Sequence, residues 1–284
     1  MRIYNLVGYA LILINCLLAA VLAPPEWSLW LGALVGFAYL ALVWFWGGVY
    51  LAVVLHMGIA HRALDFNDTF VKLLTIIYNT SGIYVNPSSW VDRHRHHHIY
   101  SDRPGDPNKL SEDGFWKTLY LSFFPYKCKS SLARDEIFKS RTFRLVSNTY
   151  FAAFAQLSSF GLLWLLVRDW KYALLLWLGV RITALYANMI QNYWTHDRRF
   201  GSRRYEDDDN AMNIGDWLPV TLTFSACLQN NHHHHPRFLR LSHDDSEYDF
   251  GFIIVRIIKR MGLVEATAAG LRRPKDVPLQ EVGF

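Results

Sequence analysis

Four long apolar runs, residues 5–23, 28–55, 147–167 and 172–194, alternate with stretches in which the charged residues concentrate. At 1.5 Å per residue, about 20 helical residues cross a hydrocarbon core of roughly 30 Å, so each run is long enough to span a bilayer. The first run ends in Val21-Leu22-Ala23, which resembles a signal-peptide cleavage site. It is longer than a usual signal core, and Pro24-Pro25-Glu26-Trp27 follows at once, so it reads as a retained span closed by a tight turn with Trp27 at the interface. The second run is overlong and should carry His56 beyond the lipid. The pattern predicts an all-α integral membrane protein. It would be a single domain over 1–284, with four transmembrane helices and a helical cap built from 56–146 and 195–284.

Between the runs the pattern changes character. Residues 69–85 are moderately apolar but contain Lys72, Asn79, Thr80 and Gly82, which predicts an interfacial or re-entrant helix. Asn86-Pro87-Ser88-Ser89 marks a helix start. Residues 114–126 and 252–261 are amphipathic and suited to lie in the membrane surface, whereas 127–144 is strongly charged and aqueous. The tail from Arg272 is polar and loosely ordered. Arg181, within the fourth run, must face protein interior or snorkel. Four crossings put both termini on one side, and the opposite loops hold only Arg168 and Lys171. The positive-inside rule makes the other side cytoplasmic, in a bacterial inner membrane or the endoplasmic reticulum.

Composition narrows the class further. The chain is 52% apolar and 15% aromatic, with eleven Trp among 284 residues, yet keeps 29 basic and 24 acidic side chains. That mixture fits a protein part in membrane and part in water. The net charge of +5 suits an anionic leaflet. No basic, aromatic-interleaved motif of a nucleic-acid reader is present. The three cysteines, Cys16, Cys128 and Cys227, show no CxxC spacing and no disulfide framework.

The candidate chemistry lies where the apolar runs end. On a helix, His94, His97 and His98 fall at i, i+3 and i+4 on one face, with Arg95 and His96 pointing elsewhere. Gln229, His232 and His233 repeat that spacing. Asn192 and His196 close the fourth run, and His56 and His61 the second. Imidazole is the commonest metal ligand near neutral pH and suits iron, zinc, copper and nickel. One ion takes four to six ligands, so eight histidines imply two ions. His56 and His61, about 140° apart on an α-helix, are poorly placed to chelate one ion and well placed to reach two. Pro236 disfavours helical backbone at His235, so the Gln229 register selects His232 and His233 and leaves His234 and His235 outside. His243 reads as a polar group at a membrane interface.

His56-x4-His61, His94-Arg95-x-His97-His98, Asn192-x3-His196 and Gln229-Asn230-x-His232-His233 resemble the histidine boxes of the membrane fatty acid desaturases. The acyl-CoA (stearoyl-CoA-like) branch is the nearest pattern. Asp102-x3-Asp106-Pro107, Glu247-Tyr248-Asp249 and Gly262-Leu263-Val264 are also similar to the family, over about 56–262. The resemblance implies two iron ions on these histidines, with Gln229 and Asn192 as weak or water-mediated ligands. It implies O2-dependent removal of two hydrogens from an acyl chain, giving a cis double bond. The chain, linked to CoA, a carrier protein or a membrane lipid, would lie in an apolar tunnel. Gln229 stands where histidine is usual, as in some front-end desaturases, and Asn108 follows Asp-Pro where histidine is common. No cytochrome b5 or ferredoxin segment is fused, so the electron donor should be a separate protein of cytochrome b5, ferredoxin or rubredoxin type. A membrane di-iron lipid hydroxylase or ketolase would share these boxes. A histidine-rich metal transporter would place ligands near the bilayer midplane, where this chain has no histidine.

Overall fold

The computed structural model describes residues 2–81, 83–107, 114–124, 128 and 131–271; Gly82, Asn108 and the tail from Arg272 lie outside them. In chain order, α1 (Ile3–Val21) and α2 (Leu29–Gly48) come first, α2 continuing without a break into a π-helical segment, Val49–Ala60. β1 (Leu64–Phe66), α3 (Asp68–Ser81), α4 (Pro87–Tyr100), α5 (Gly114–Phe123) and α6 (Arg141–Val146) follow. Then come α7 (Thr149–Val167), α8 (Trp170–Asn192), α9 (Trp217–Leu222), α10 (Gln229–His234), α11 (Phe250–Arg260) and β2 (Val264–Ala266).

Four of these helical stretches, Ile3–Val21, Leu29–Ala60, Thr149–Val167 and Trp170–His196, are long and apolar enough to cross a membrane. Their outer faces are bare of protein: Trp30 is 86% exposed and Leu165 75%. Contiguous apolar surface of this kind needs a lipid partner. Small residues let α1 and α2 close up, as in membrane helix pairs generally. A Cβ built on Gly36 would collide with Ala19 Cβ. Helix starts are set by local chemistry. Ser28, Asn148 and Asp169 each accept a bond from a backbone N–H of the first turn of α2, α7 and α8, as N-cap residues do.

The second span exceeds the expected 28–55 because the π-helical segment carries it on to Ala60. The all-α expectation needs one correction. β1 and β2 pair antiparallel, Leu64 opposite Ala266 and Phe66 opposite Val264. Three-residue strands are too short to show an alternating pattern, and they pair across some 200 residues of chain. Their pairing ties the end of the π-helical segment to the end of α11.

α3 is helical as expected, and its C-terminal end packs against α7. Gln156 Nε2 donates to Asn79 O at 3.1 Å, and Val85 N donates to Asn79 Oδ1 at 3.0 Å. Arg181 faces protein and does not snorkel. Its guanidinium lies 3.3 Å over the Trp177 ring, donates to Trp177 O at 2.6 Å and binds Gln156. The main buried core surrounds the π-helical segment, where Tyr50, Val54 and Leu55 pack with Tyr4, Phe143, Ile190 and Leu228.

Candidate metal centre

The chain ends its second and fourth apolar helices at the same place, against α4 and α10. Two adjoining groups of histidines result. His56, His61, His94, His98 and His232 form one; His97, His196 and His233 form the other. Within each group the candidate donor atoms all lie within 4.8 Å of one another.

The five-histidine group depends on the π winding. That winding bonds residue i to i+5, so residues five apart stack one turn apart. His61 N donates to His56 O at 3.1 Å, and the two rings sit 4.9 Å apart. The expectation that His56 and His61 diverge toward two ions therefore fails: the 140° separation belongs to an α-helix, and this segment is not one. The Nε2 atoms converge, His61 on His94 at 2.8 Å, His56 on His232 at 2.9 Å, His232 on His98 at 3.0 Å and His98 on His94 at 3.1 Å. Two nitrogens held at right angles by one ion, with metal–imidazole bonds of about 2.1 Å, stand about 3.0 Å apart. Trp90 stacks on His94 with its ring plane 10° from parallel and fixes that imidazole.

In the three-histidine group each ring is held from behind by a carboxylate. His97 Nδ1 donates to Asp106 at 2.9 Å, His196 Nδ1 to Asp102 at 2.9 Å and His233 Nδ1 to Asp209 at 2.6 Å. An ionised carboxylate only accepts. The proton is thus on Nδ1, and the Nε2 lone pair is directed away from the carboxylate, the arrangement that orients metal-binding histidines. Sequence reasoning noted Asp102 and Asp106 only as family-like and gave Asp209 no role. Asp209 lies more than 20 residues before His233 in an irregular loop, and only folding joins them.

Adjacent residues serve adjacent groups. His97 and His98 on α4, and His232 and His233 on α10, each divide between the two, and His98 and His233 meet at 4.6 Å across the boundary. The shared face expected of 94, 97 and 98 is real but opens onto both groups.

At His61, His94, His98, His232 and His233 electrostatics favour the neutral ring. Burial first, and the neighbouring imidazoles second, push His61, His94, His98 and His232 well below their ordinary range. Burial brings His233 down to about 4 despite Asp209. Burial alone would raise Asp102, but His196 outweighs it and holds the carboxyl down to about 2. Neutral imidazoles offer lone pairs at physiological pH. Among the buried side-chain atoms without a hydrogen-bond partner are His196 Nε2, His233 Nε2 and Gln229 Oε1. Buried polar atoms are paired as a rule, so the orphaned ring nitrogens of His196 and His233, which belong to one group, fit a bound cation.

The other candidates are placed differently. Asn192 Nδ2 donates to Asn188 Oδ1 at 2.8 Å, and Asn188 Nδ2 to Ser122 Oγ of α5 at 2.8 Å. His234 binds Asp207 at 2.9 Å and stacks on Tyr205, while His235 stacks on Phe238. Neither joins a histidine group, so replacing both with alanine should leave metal content per chain unchanged by elemental analysis. Loss of one ion would put the register nearer Pro236. His243 is buried against the Tyr205 hydroxyl at 3.0 Å and is not an exposed interface group. His96 belongs to a smaller cluster with Asp92 and Cys128. There Asp92 accepts from Leu132 N, and burial and Asp92 push the Cys128 thiol up to about 11. Asp92 thus links both Cys128 and Leu132 to α4.

A mostly apolar cavity reaches from His56 and Trp90, between α2 and α8, to Leu40, Val43 and Val180. Its α8 wall extends from Gln191 to Val180, about 16 Å of helix. That is half of a hydrocarbon core of roughly 30 Å, the length of one leaflet's acyl chain.

Membrane-length helices that bring two adjoining histidine groups together, with His56 of one lining an apolar cavity, define a membrane protein with a histidine-rich site able to bind metal. The chain belongs to the fatty acid desaturase family, whose model, described as "Fatty acid desaturase", matches residues 28–243. It is 28% identical over 243 residues to the sn-1 stearoyl-lipid 9-desaturase of Anabaena variabilis, covering 81% of this chain and 82% of that protein. Over 257 residues it is 26% identical to the hex-5-enoyl-[acyl-carrier protein] acetylenase of Moorena producens, covering 84% and 77%. Delta-9 acyl-lipid desaturase 2 of Arabidopsis thaliana is 25% identical over 252 residues, covering 85% and 76%. The family is one of oxidoreductases acting on fatty acyl chains.

Proposed function

We propose that this chain is an O2-dependent fatty acyl desaturase with two iron ions, one on each histidine group. The observation that carries the reading is the pairing of those groups with an apolar cavity one acyl chain long. His56, His61, His94, His98 and His232 would hold one ion. His97, His196 and His233 would hold the other, with Gln229 as a further donor and Asn192 acting through water. The iron pair would supply the oxidising power that an unactivated methylene pair demands. The protein's share is placement. The α2–α8 cavity holds the chain straight and dry, Trp90 and His56 set the depth at which it passes the site, and Asp102, Asp106 and Asp209 fix the ring orientations. The relatives named above are desaturases of lipid-linked chains and an acetylenase of a carrier-linked one, which favours a lipid-linked acyl substrate over acyl-CoA. Electrons would come from a separate carrier protein.

The whole chain is read as one domain with the histidine side cytoplasmic. Reporters inserted near Lys129 and fused after Phe284 should read cytoplasmic, and one inserted at Glu26 or Asp169 the far side. A far-side signal at Lys129 would divide the centre across the membrane and overturn this topology. The function itself is tested by expression in a desaturase-deficient host with mass-spectrometric mapping of lipid double bonds. A new cis alkene at one position is expected; an alcohol in its place would make the chain a hydroxylase.

A further inference from the structure

We propose that Arg95 positions the five-histidine group by holding the end of the second span in the π winding that aims His56 and His61 at one point. The inference rests on the metal-centre reading above, but it concerns the metal-free chain as well. The π-helical segment stops at Ala60, and the chain leaves through Arg62, whose φ of 54° is left-handed, toward β1. The last carbonyls of a helix have no N–H ahead of them and need outside donors. Arg95 reaches over from α4 and supplies them. Its Nη2 donates to Ile59 O at 2.6 Å and its Nε to Ala60 O at 3.0 Å.

The rest of the guanidinium is equally committed. Nη1 donates to Leu132 O at 2.8 Å and to Asp135 Oδ2 at 2.6 Å, and Nη2 donates to Asp135 Oδ1 at 3.1 Å. These five bonds use all five N–H groups of the fork, on a side chain only 15% exposed. Asp135 also accepts from Arg62 at 3.0 Å, so one carboxylate ties the exit turn of the span to the same guanidinium.

The position of Arg95 in the chain gives this contact its consequence. It follows His94 and precedes His97 and His98, so the bonds that cap Ile59 and Ala60 also set the distance from α4 to the π turn. His61 and His94 meet across that interface at 2.8 Å. π windings are rare and short and occur mostly at functional sites. Relaxation of this one toward α-helical bonding would swing His61 about 140° from His56. A lysine keeps the charge but offers three donors on a single nitrogen, without the planar fork. It can replace at most three of the five bonds.

The test uses the full chain in detergent, with Arg95→Lys and Asp135→Asn. In metal-free protein, amide exchange at His61, Arg62 and Ala63 should quicken in Arg95→Lys while α7 and α8 keep their protection. In a cobalt(II) titration the wild type should take up two equivalents. Arg95→Lys should keep one tight equivalent and bind the second at least about tenfold more weakly, the size expected for losing a contact that orients ligands. Unchanged exchange with two tight equivalents would overturn the proposal. If Arg95→Lys unfolds throughout, Asp135→Asn decides: weakening confined to one equivalent supports the proposal, and no change or a uniform loss overturns it. A wild type that binds fewer than two cobalt ions would count against the metal reading. The exchange measurement would still decide the role of Arg95.

Discussion

His97→Ala should leave the chain with one ion instead of two and no desaturation, whereas His61→Ala should keep two ions at reduced affinity. The asymmetry follows from the two donor sets. Around His97 the structure gathers three ring nitrogens, and three protein ligands are what catalytic sites typically retain. Removing one leaves two imidazoles and deprives Asp106, a buried carboxylate, of its 2.9 Å bond from His97 Nδ1. Loss of an outer partner alone costs about 10–100-fold in metal affinity, so loss of the donor itself should exceed about 100-fold and empty that position during purification. The group around His61 has five ring nitrogens, and four suffice for a closed set. Elemental analysis of the purified variants, beside double-bond profiling, separates the cases. Two ions in His97→Ala would mean that the three-histidine group is not a metal position. Loss of an ion in His61→Ala would mean that the five nitrogens are not interchangeable.

The sequence made some of this legible and hid the rest for identifiable reasons. Apolar runs report spans because about 20 consecutive apolar residues are needed whatever the tertiary contacts, and all four observed helices lie within a few residues of their runs, except at Ala60. The eight histidines that gather in two groups were visible as spacings on ordinary helices. The winding of Val49–Ala60 was not visible, since the same residues read equally well as α-helix and the determinant, Arg95, sits on another element. That one misjudgement sent His56 and His61 to different ions. The division of His97 from His98, and of His232 from His233, was also beyond a single-helix argument. A face about 100° wide faces one direction in sequence terms, yet here it meets two centres side by side. Asp209 and the β1–β2 pair failed for a simpler reason: their partners are set by tertiary contact and leave no local period.

Gln229 is where sequence and structure join most sharply. It shares a helical face with His232 and His233, and its Oε1 is buried with no hydrogen-bond partner. A buried unsatisfied acceptor costs about 1–3 kcal/mol. Such a cost persists where something else uses the atom, and of the two histidine groups it is the one with three donors that has room for a fourth. Gln229→Met keeps the size and removes the orphan oxygen. It should raise the thermal stability of metal-free protein by up to about 1–3 kcal/mol while weakening one metal equivalent. Gln229→Ala should weaken the same equivalent without the stability gain, because truncation opens a cavity beside Asn230 and Asn231, both fully buried. Gln229→His should restore tight binding of both ions, since an imidazole is a stronger donor to iron than a neutral amide oxygen. The measurements are a metal titration and a melting curve of metal-free protein for each variant. Opposite signs in the two assays for Gln229→Met are the signature of a side chain kept for metal binding. If Gln229→Met leaves both ions tightly bound, the carboxamide lies outside the coordination shell, and the likeness of 229–233 to 94–98 ends at the sequence.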